Sequence, residues 1–381
     1  MSDRLRVAMV GYGFMGAAHS QGWRVAPRFF DLPATPEMAV IVGRDPQKVQ
    51  RAAERYGWRE AITDWRALVE RDDIDIVDIC STGNTHAEIA IAALNAGKHV
   101  LCEKPLANTV EEAEQMAAAA AGASGRGVWA MVGFTYRRVP AVSLAAKMVA
   151  EGKVGAIRQT RAVYLQDWLV DPDTPATWRS DKTQAGSGAL GDIAAHIVDA
   201  VQYVTGQSVT GVAGTLRTFT TERVSATDPF QRVPVTVDDA VAFVASLSGG
   251  AMATFEASRV ATGRKNALRF EISGDRGALA FDLENLNELH YFDRTAALER
   301  QGFTRILVTE KVHPYVSGWW PPGHLLGYEH GFSNQVRDFV TDIVEGRQPR
   351  PSFAEGLDVQ RVLGAVEASS ASSSTWTVVG E

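Results

Sequence analysis

Leu5-Arg-Val-Ala-Met-Val-Gly11-Tyr-Gly-Phe-Met-Gly16 sets a short apolar run directly before a G-x-G-x-x-G. In such a loop Gly11 permits a tight turn, Gly13 lets backbone approach a pyrophosphate, and Gly16 lets the following helix pack against the strand. Phe14 and Met15 complete the loop. Alone the motif is weak, but its place at the head of a strand–helix rhythm favours a dinucleotide site over an incidental turn.

That rhythm continues outward. MAVIVG (38–43), a helical pattern over 46–56, DIDIVDIC (73–80), a helix over 86–96, KHVLCEK (98–104), a helix over 110–121 and VWAMVGF (128–134) alternate in turn. Strands alternating with helices predict a doubly wound parallel sheet. From about residue 157 the pattern changes to IRQTRAVYLQDW, VTGVAGTLRTF, AVAFVASL, AMATFEASRV and ALRFEISG, with turns between them. These predict an open, largely antiparallel sheet. The expected division is a dinucleotide-binding domain over 1–130 and a substrate-binding and oligomerisation domain over 131–381, an α/β architecture throughout.

Composition narrows the ligand class. The 381 residues are 45% hydrophobic and carry a formal net charge of −7 without a basic stripe, so neither nucleic acid nor an anionic membrane is an expected partner. Apolar runs fall short of the roughly 18 residues of a membrane span, and the first residues lack the apolar core of a signal peptide. Cys80 and Cys102, the two cysteines, have no C-x-x-C or zinc-ligand spacing. The expectation is a cytoplasmic protein with a small-molecule substrate and no metal.

Four further places carry candidate chemistry. The second strand ends Gly43-Arg44-Asp45, where an acid would bind a ribose 2′-hydroxyl and favour NAD, whereas Arg44 would accommodate the 2′-phosphate of NADP. Cofactor choice stays open between the two. After the next sheet strand, Ser81, Thr82, Asn84 and His86 suit phosphate–ribose contacts or a helix cap. Glu103-Lys104-Pro105 closes another strand, where ligands of such sheets bind. There Lys104 would favour an alkoxide-like oxygen, or else be a surface lysine.

The fourth is Gly191 to Val204, a predicted helix in which Asp192, His196 and Asp199 fall at i, i+4 and i+7 between apolar rows. Such a stripe suits a cleft, and the glycines at 186, 188 and 191 would let a substrate approach. A histidine oriented by a carboxylate suits proton abstraction from an alcohol, the alternative being a structural His–Asp pair. Asp199 has the weaker claim.

The glycine loop, Glu103-Lys104-Pro105 and Asp192 with His196, in this order and spacing, resemble the Gfo/Idh/MocA oxidoreductases over the whole chain. The resemblance implies an N-terminal Rossmann domain, a catalytic group of Lys104, Asp192 and His196, and a segment near cofactor and substrate at Tyr136-Arg137. Tyr164 to Trp168, His313-Pro-Tyr and Trp319 to His324 look like the family's sugar dehydrogenases, with Trp168 and His324 as sugar contacts. It implies hydride transfer between a secondary hydroxyl of a sugar, anhydrosugar or cyclitol and NAD or NADP. The open, largely antiparallel sheet of the second domain tends to pair through its exposed face, so a homodimer or homotetramer is expected. Rivals are oxidoreductive glycoside cleavage through a transient 3-keto sugar and a non-catalytic redox sensor.

Overall fold

The computed structural model describes residues 4–380. They form two compact units, one of residues up to Arg138 with Gly327–Leu357, the other of Val139–Leu326 with the chain from Asp358 onward. The expected cut after residue 130 leaves 131–138 and 327–357 on the other side. The reason lies in the helix Tyr328–Val344, whose Val336, Phe339, Val340 and Ile343 are buried in the first unit's core with Val7, Met9, Ile41, Ile76 and Leu101. Burial of each large side chain contributes about 1.5–3 kcal/mol.

The first unit holds six parallel strands: β1 (Arg4–Val10), β2 (Thr35–Val42), β3 (Glu60–Ile62), β4 (Ile76–Ile79), β5 (His99–Cys102) and β6 (Ala130–Val132). Their spatial order, β3-β2-β1-β4-β5-β6, reverses direction between β1 and β4. Ligands of such sheets bind outside the strand ends at that reversal. The glycine loop follows β1, and Ser81 to His86 follow β4.

The second unit contains β7 (Ile157–Leu165), β8 (Val209–Arg217), the small pair β9 (Glu222–Val224) and β10 (Arg232–Pro234), β11 (Ala240–Leu247), β12 (Met252–Ser258), β13 (Ala267–Gly274), β14 (Gly277–Asp282), β15 (Glu288–Asp293), β16 (Phe303–Leu307) and β17 (Thr377–Val378). All but the β9–β10 pair form one sheet, β16-β15-β14-β13-β7-β12-β11-β8-β17. Its pairings are antiparallel except β12 with β7, so the largely antiparallel expectation holds. Helices Pro140–Ala150 and Ala195–Thr205 pack on one face. Pairing register sets Val244, Met252, Phe292, Phe303 and Leu307 on the other.

A charged cluster is buried in the first unit. His19, on the helix Phe14–Phe29, directs Nδ1 at both oxygens of Asp78 (2.9 and 3.0 Å) and Nε2 at Glu103 Oε1 (2.9 Å). Trp23 Nε1 donates to Asp78 at 2.6 Å, and the Cys80 thiol donates to the same carboxylate at 3.6 Å. His19, Asp78 and Cys80 bring one ligand-type atom each within 4.8 Å of one another, and hydrogen bonds already join them. Burial is the largest single influence and pulls the imidazole pKa down, but the charge and hydrogen bonding of Asp78 and Cys80 together outweigh it and hold the value well above ordinary. Charged, His19 donates to both carboxylates; neutral, it donates to one.

Two predictions follow from this bridge. His19→Gln is expected to lower stability by about 3 kcal/mol or more in chemical denaturation, because two buried carboxylates lose their shared cation. Since the folded pKa lies above the unfolded value, the His19 contribution is fully present below pH 6.5 and is lost as pH rises through the folded pKa. Melting temperature should therefore fall on the alkaline side in the wild type, and this fall should be smaller in His19→Gln.

Candidate functional site

In the first unit the loop after β1 turns at Gly11, with φ +107°, where a Cβ would stand 2.6 Å from the Cys80 carbonyl oxygen. A Cβ on Gly13 would meet nothing within 4 Å. Gly13 is also the N-cap of the sixteen-residue helix Phe14–Phe29 and supplies no side-chain cap, so the helix start is open to an anion. A dinucleotide pyrophosphate fits this cradle. Phe14 is 69% exposed, its ring stacked on Tyr328 at 6.2 Å; Tyr136 and Phe332 meet Tyr328 edge-on at 6.3 and 5.1 Å. Met15 is half-buried and Gly16 buried.

At the end of β2, a Cβ on Gly43 would overlap the Tyr12 ring at 1.9 Å, so the absent acid there makes way for an aromatic side chain. Arg44 is exposed. Asp45 caps the next helix, accepting from the Gln47 and Lys48 amides at 3.0 Å each, and these bonds hold its carboxyl pKa down.

Ser81 bonds Thr85, and Thr82 donates to Asn84 Oδ1, each at 2.7 Å. Asn84 is exposed. His86 is buried, its Nδ1 near the Pro105 and Leu106 carbonyls (3.1 and 3.3 Å) and its Nε2 near the Ser81 carbonyl (3.2 Å), and burial lowers its pKa. It braces the loop after β4 against the Glu-Lys-Pro turn. On that turn Lys104 is half-buried, its amide donates to Glu103 Oε2 at 3.2 Å, and the Lys104–Pro105 peptide is cis. Arg137 is buried and paired with Glu355 at 2.7 Å. Despite burial, Arg350 and Arg137 hold the Glu355 carboxyl at about 2.

In the second unit the expected uniform helix differs at its start. Leu190–Ala194 is a π-helical turn, and the α-helix is Ala195–Thr205. The turn is shaped by Asp238, whose carboxylate accepts from the Gly188 and Leu190 amides at 2.7 and 2.8 Å. Gly188 permits this approach, since a Cβ there would stand 1.7 Å from the Asp238 carbonyl oxygen. That glycine makes room for protein backbone, where the sequence suggested room for substrate. Wide turns of this kind are frequent at functional sites.

Asp192 lies in the wide turn with its side chain 22% exposed; Arg179 and the almost fully buried Arg259 each come within 3.7 Å of Oδ2. His196 is half-buried, its ring 5.8 Å from that of Tyr164. Asp199 is buried at 3% exposure, so the trio does not share one environment. Trp168 is 40% exposed, donates to Gln166 Oε1 at 3.0 Å, and lies 5.8 Å from the Arg259 guanidinium carbon. His324 is exposed with Nδ1 3.0 Å from the Pro321 carbonyl oxygen; the Trp319 and Trp320 rings lie 6.4 Å apart. Asp192, Arg259 and Trp168 thus lie in one series of contacts, and His196 lies against the buried Tyr164 ring.

His19, Asp238 and Arg259 were not marked among the candidate residues above. His19 had a local signal, three residues beyond the last loop glycine. Asp238 and Arg259 act on residues far along the chain and leave no such signal.

Two family models match. One, described as the oxidoreductase family with an NAD-binding Rossmann fold, covers residues 5–134; the other, the Gfo/Idh/MocA C-terminal domain, covers 142–280. Levoglucosan dehydrogenase of Pseudarthrobacter phenanthrenivorans is 41% identical over 98% of this chain and 97% of its own. The crystal structure of an oxidoreductase domain protein from Kribbella flavida superposes with a TM-score of 0.97 at 61% identity over all of both chains. A levoglucosan dehydrogenase in complex with NADH and levoglucosan gives a TM-score of 0.94 at 41% identity, over 99% of this chain and 100% of the other. The chain belongs to the Gfo/Idh/MocA family of oxidoreductases and carries that family's NAD-binding Rossmann domain.

Proposed function

We propose that the protein oxidises a secondary hydroxyl of a sugar, anhydrosugar or cyclitol, with levoglucosan the first substrate to test. The observation that carries this reading lies in the second unit, where Asp192 and His196 flank a π-to-α junction, His196 rests against the buried Tyr164 ring, and Trp168 leaves an aromatic face exposed beside Arg259. Aromatic faces pack on the C–H faces of a pyranose. The similarity to levoglucosan dehydrogenase supports the same class.

In this reading His196 removes the hydroxyl proton. Lys104, whose ammonium carries three donors, stabilises the oxyanion that develops as the proton leaves. Asp192, held by Arg179 and Arg259, fixes the geometry of the acceptor. Residues of the loop after β1, the end of β2 and the segment 81–86 hold the nicotinamide cofactor, which when bound supplies the acceptor for the carbon-bound hydride. Tyr136, Arg137 and His324 complete the substrate surroundings.

The protein in this reading is cytoplasmic and a homodimer or homotetramer, paired through the sheet face that carries Val244 and Met252, 44% and 52% exposed. Among the described residues no helix is long and apolar enough to cross a membrane.

A sugar and cyclitol panel with NAD and NADP separately, followed by absorbance of the reduced cofactor, tests the activity. Aglycone release without net reduced cofactor would instead mark glycoside cleavage, and tight cofactor binding without any turnover would mark a sensor. His196→Ala is expected to lower kcat about 100-fold or more, with cofactor affinity by fluorescence titration retained; unchanged turnover would remove His196 from the chemistry. Lys104→Ala should lower kcat by about the same factor, whereas near wild-type kinetics would make it a surface lysine. Light scattering should give a dimer or tetramer mass, reduced by Val244→Glu.

A further inference from the structure

A chain of hydrogen bonds in the second unit fixes the orientation of one amide. The Trp168 indole N–H can only donate, and it donates to Gln166 Oε1 at 3.0 Å. Gln166 must therefore turn its Nε2 outward, and this group donates to Asn266 Oδ1 at 2.9 Å. The Tyr164 hydroxyl donates to the same oxygen at 2.7 Å. Both acceptor positions of Asn266 Oδ1 are then filled, and its Nδ2 has to face the other way. Among the described residues no hydrogen bond is made to that Nδ2, and Asn266 is only half-buried.

The placement is equally fixed. β13 and β7 pair antiparallel with Ala267 opposite Leu165, so Asn266 stands opposite Gln166, on the sheet face that Tyr164 shares. The helix Ala195–Thr205 packs on β7 and β13, and its His196 ring lies 5.8 Å from the Tyr164 ring. The Asn266 backbone amide is tied to Glu284 at 3.2 Å. Asn266 thus presents two N–H donors and no acceptor, one tyrosine away from His196.

We propose that Asn266 is a specificity residue whose side-chain amide donates to the ring oxygen of a pyranose, an inference that rests on the sugar reading above. A sugar hydroxyl that accepts from Nδ2 still needs a partner for its own proton. The ring oxygen has no proton, so a donor-only group satisfies it completely. A cyclitol lacks that oxygen and leaves the amide unmatched, which costs binding. The site therefore selects pyranoses over carbocycles.

The test uses the full-length protein, with levoglucosan and its carbocyclic analogue, in which CH₂ replaces the ring oxygen, as probes. Asn266→Asp keeps an oxygen for Tyr164 and Gln166 but turns the outward donor into an acceptor facing the ring oxygen. On levoglucosan kcat/KM should fall at least about tenfold more than on the analogue, mainly through KM, since one lost hydrogen bond of this kind is a roughly tenfold effect. Gln166→Glu reverses the chain, driving Nδ2 inward, and should produce the same selective loss with Asn266 in place. Melting temperature and NADH titration check that each variant is folded and binds cofactor, and either variant alone suffices. Equal losses on both probes, or no loss on either, overturn the assignment while leaving the sugar reading intact. Absence of wild-type turnover on both probes and on the wider panel overturns both.

Discussion

Two carboxylates lie within the apolar centre of the first unit because one imidazole stands between them. His19 belongs to the helix that begins at the glycine loop, Asp78 to β4 and Glu103 to the residue after β5. Each place adjoins a different piece of the candidate site: the glycine loop, the loop of Ser81 to His86, and the turn bearing Lys104. Desolvated charges of this sort are costly unless paired and fully hydrogen-bonded. Here the pairing is nearly complete, since Trp23 fills a further position on Asp78 and the Lys104 amide one on Glu103. The three loops are consequently tied to one another through the core as well as along the sheet.

The second unit uses the same device around different chemistry. Asp238 fixes the π-helical turn through two backbone amides, and Arg259, almost wholly buried, stands behind the Asp192 carboxylate. Arg259 Nη2 in turn donates to the Asp238 carbonyl oxygen at 2.9 Å. In the candidate site the Asp192 carboxylate is thus backed by a buried cation. Such support holds a side chain in one geometry.

Much of this was legible along the chain. The glycine loop, the Glu-Lys-Pro turn and the Asp192–His196 pair announce themselves because each is local, a handful of residues whose spacing carries the meaning. The parallel and antiparallel halves were legible from the switch in periodicity. Partners across distance were not: His19 and Glu103 are 84 residues apart, and Tyr164 and Asn266 are 102 apart. Nothing in the local pattern of Gly43 reveals the Tyr12 ring that requires it, nor could helical periodicity tell that Tyr328–Val344 buries its apolar face in the first unit. The π-helical turn was also invisible, because it depends on Asp238, which lies 48 residues beyond Leu190.

The path of the chain carries a consequence for how such a protein is recombined. It crosses from one unit to the other after Arg138, after Leu326 and again after Leu357, the last crossing falling inside the helix Phe353–Ala371. Neither unit is therefore a contiguous stretch of gene. Exchanging the first unit for that of a relative takes three junctions rather than one, and the third must preserve helical phase.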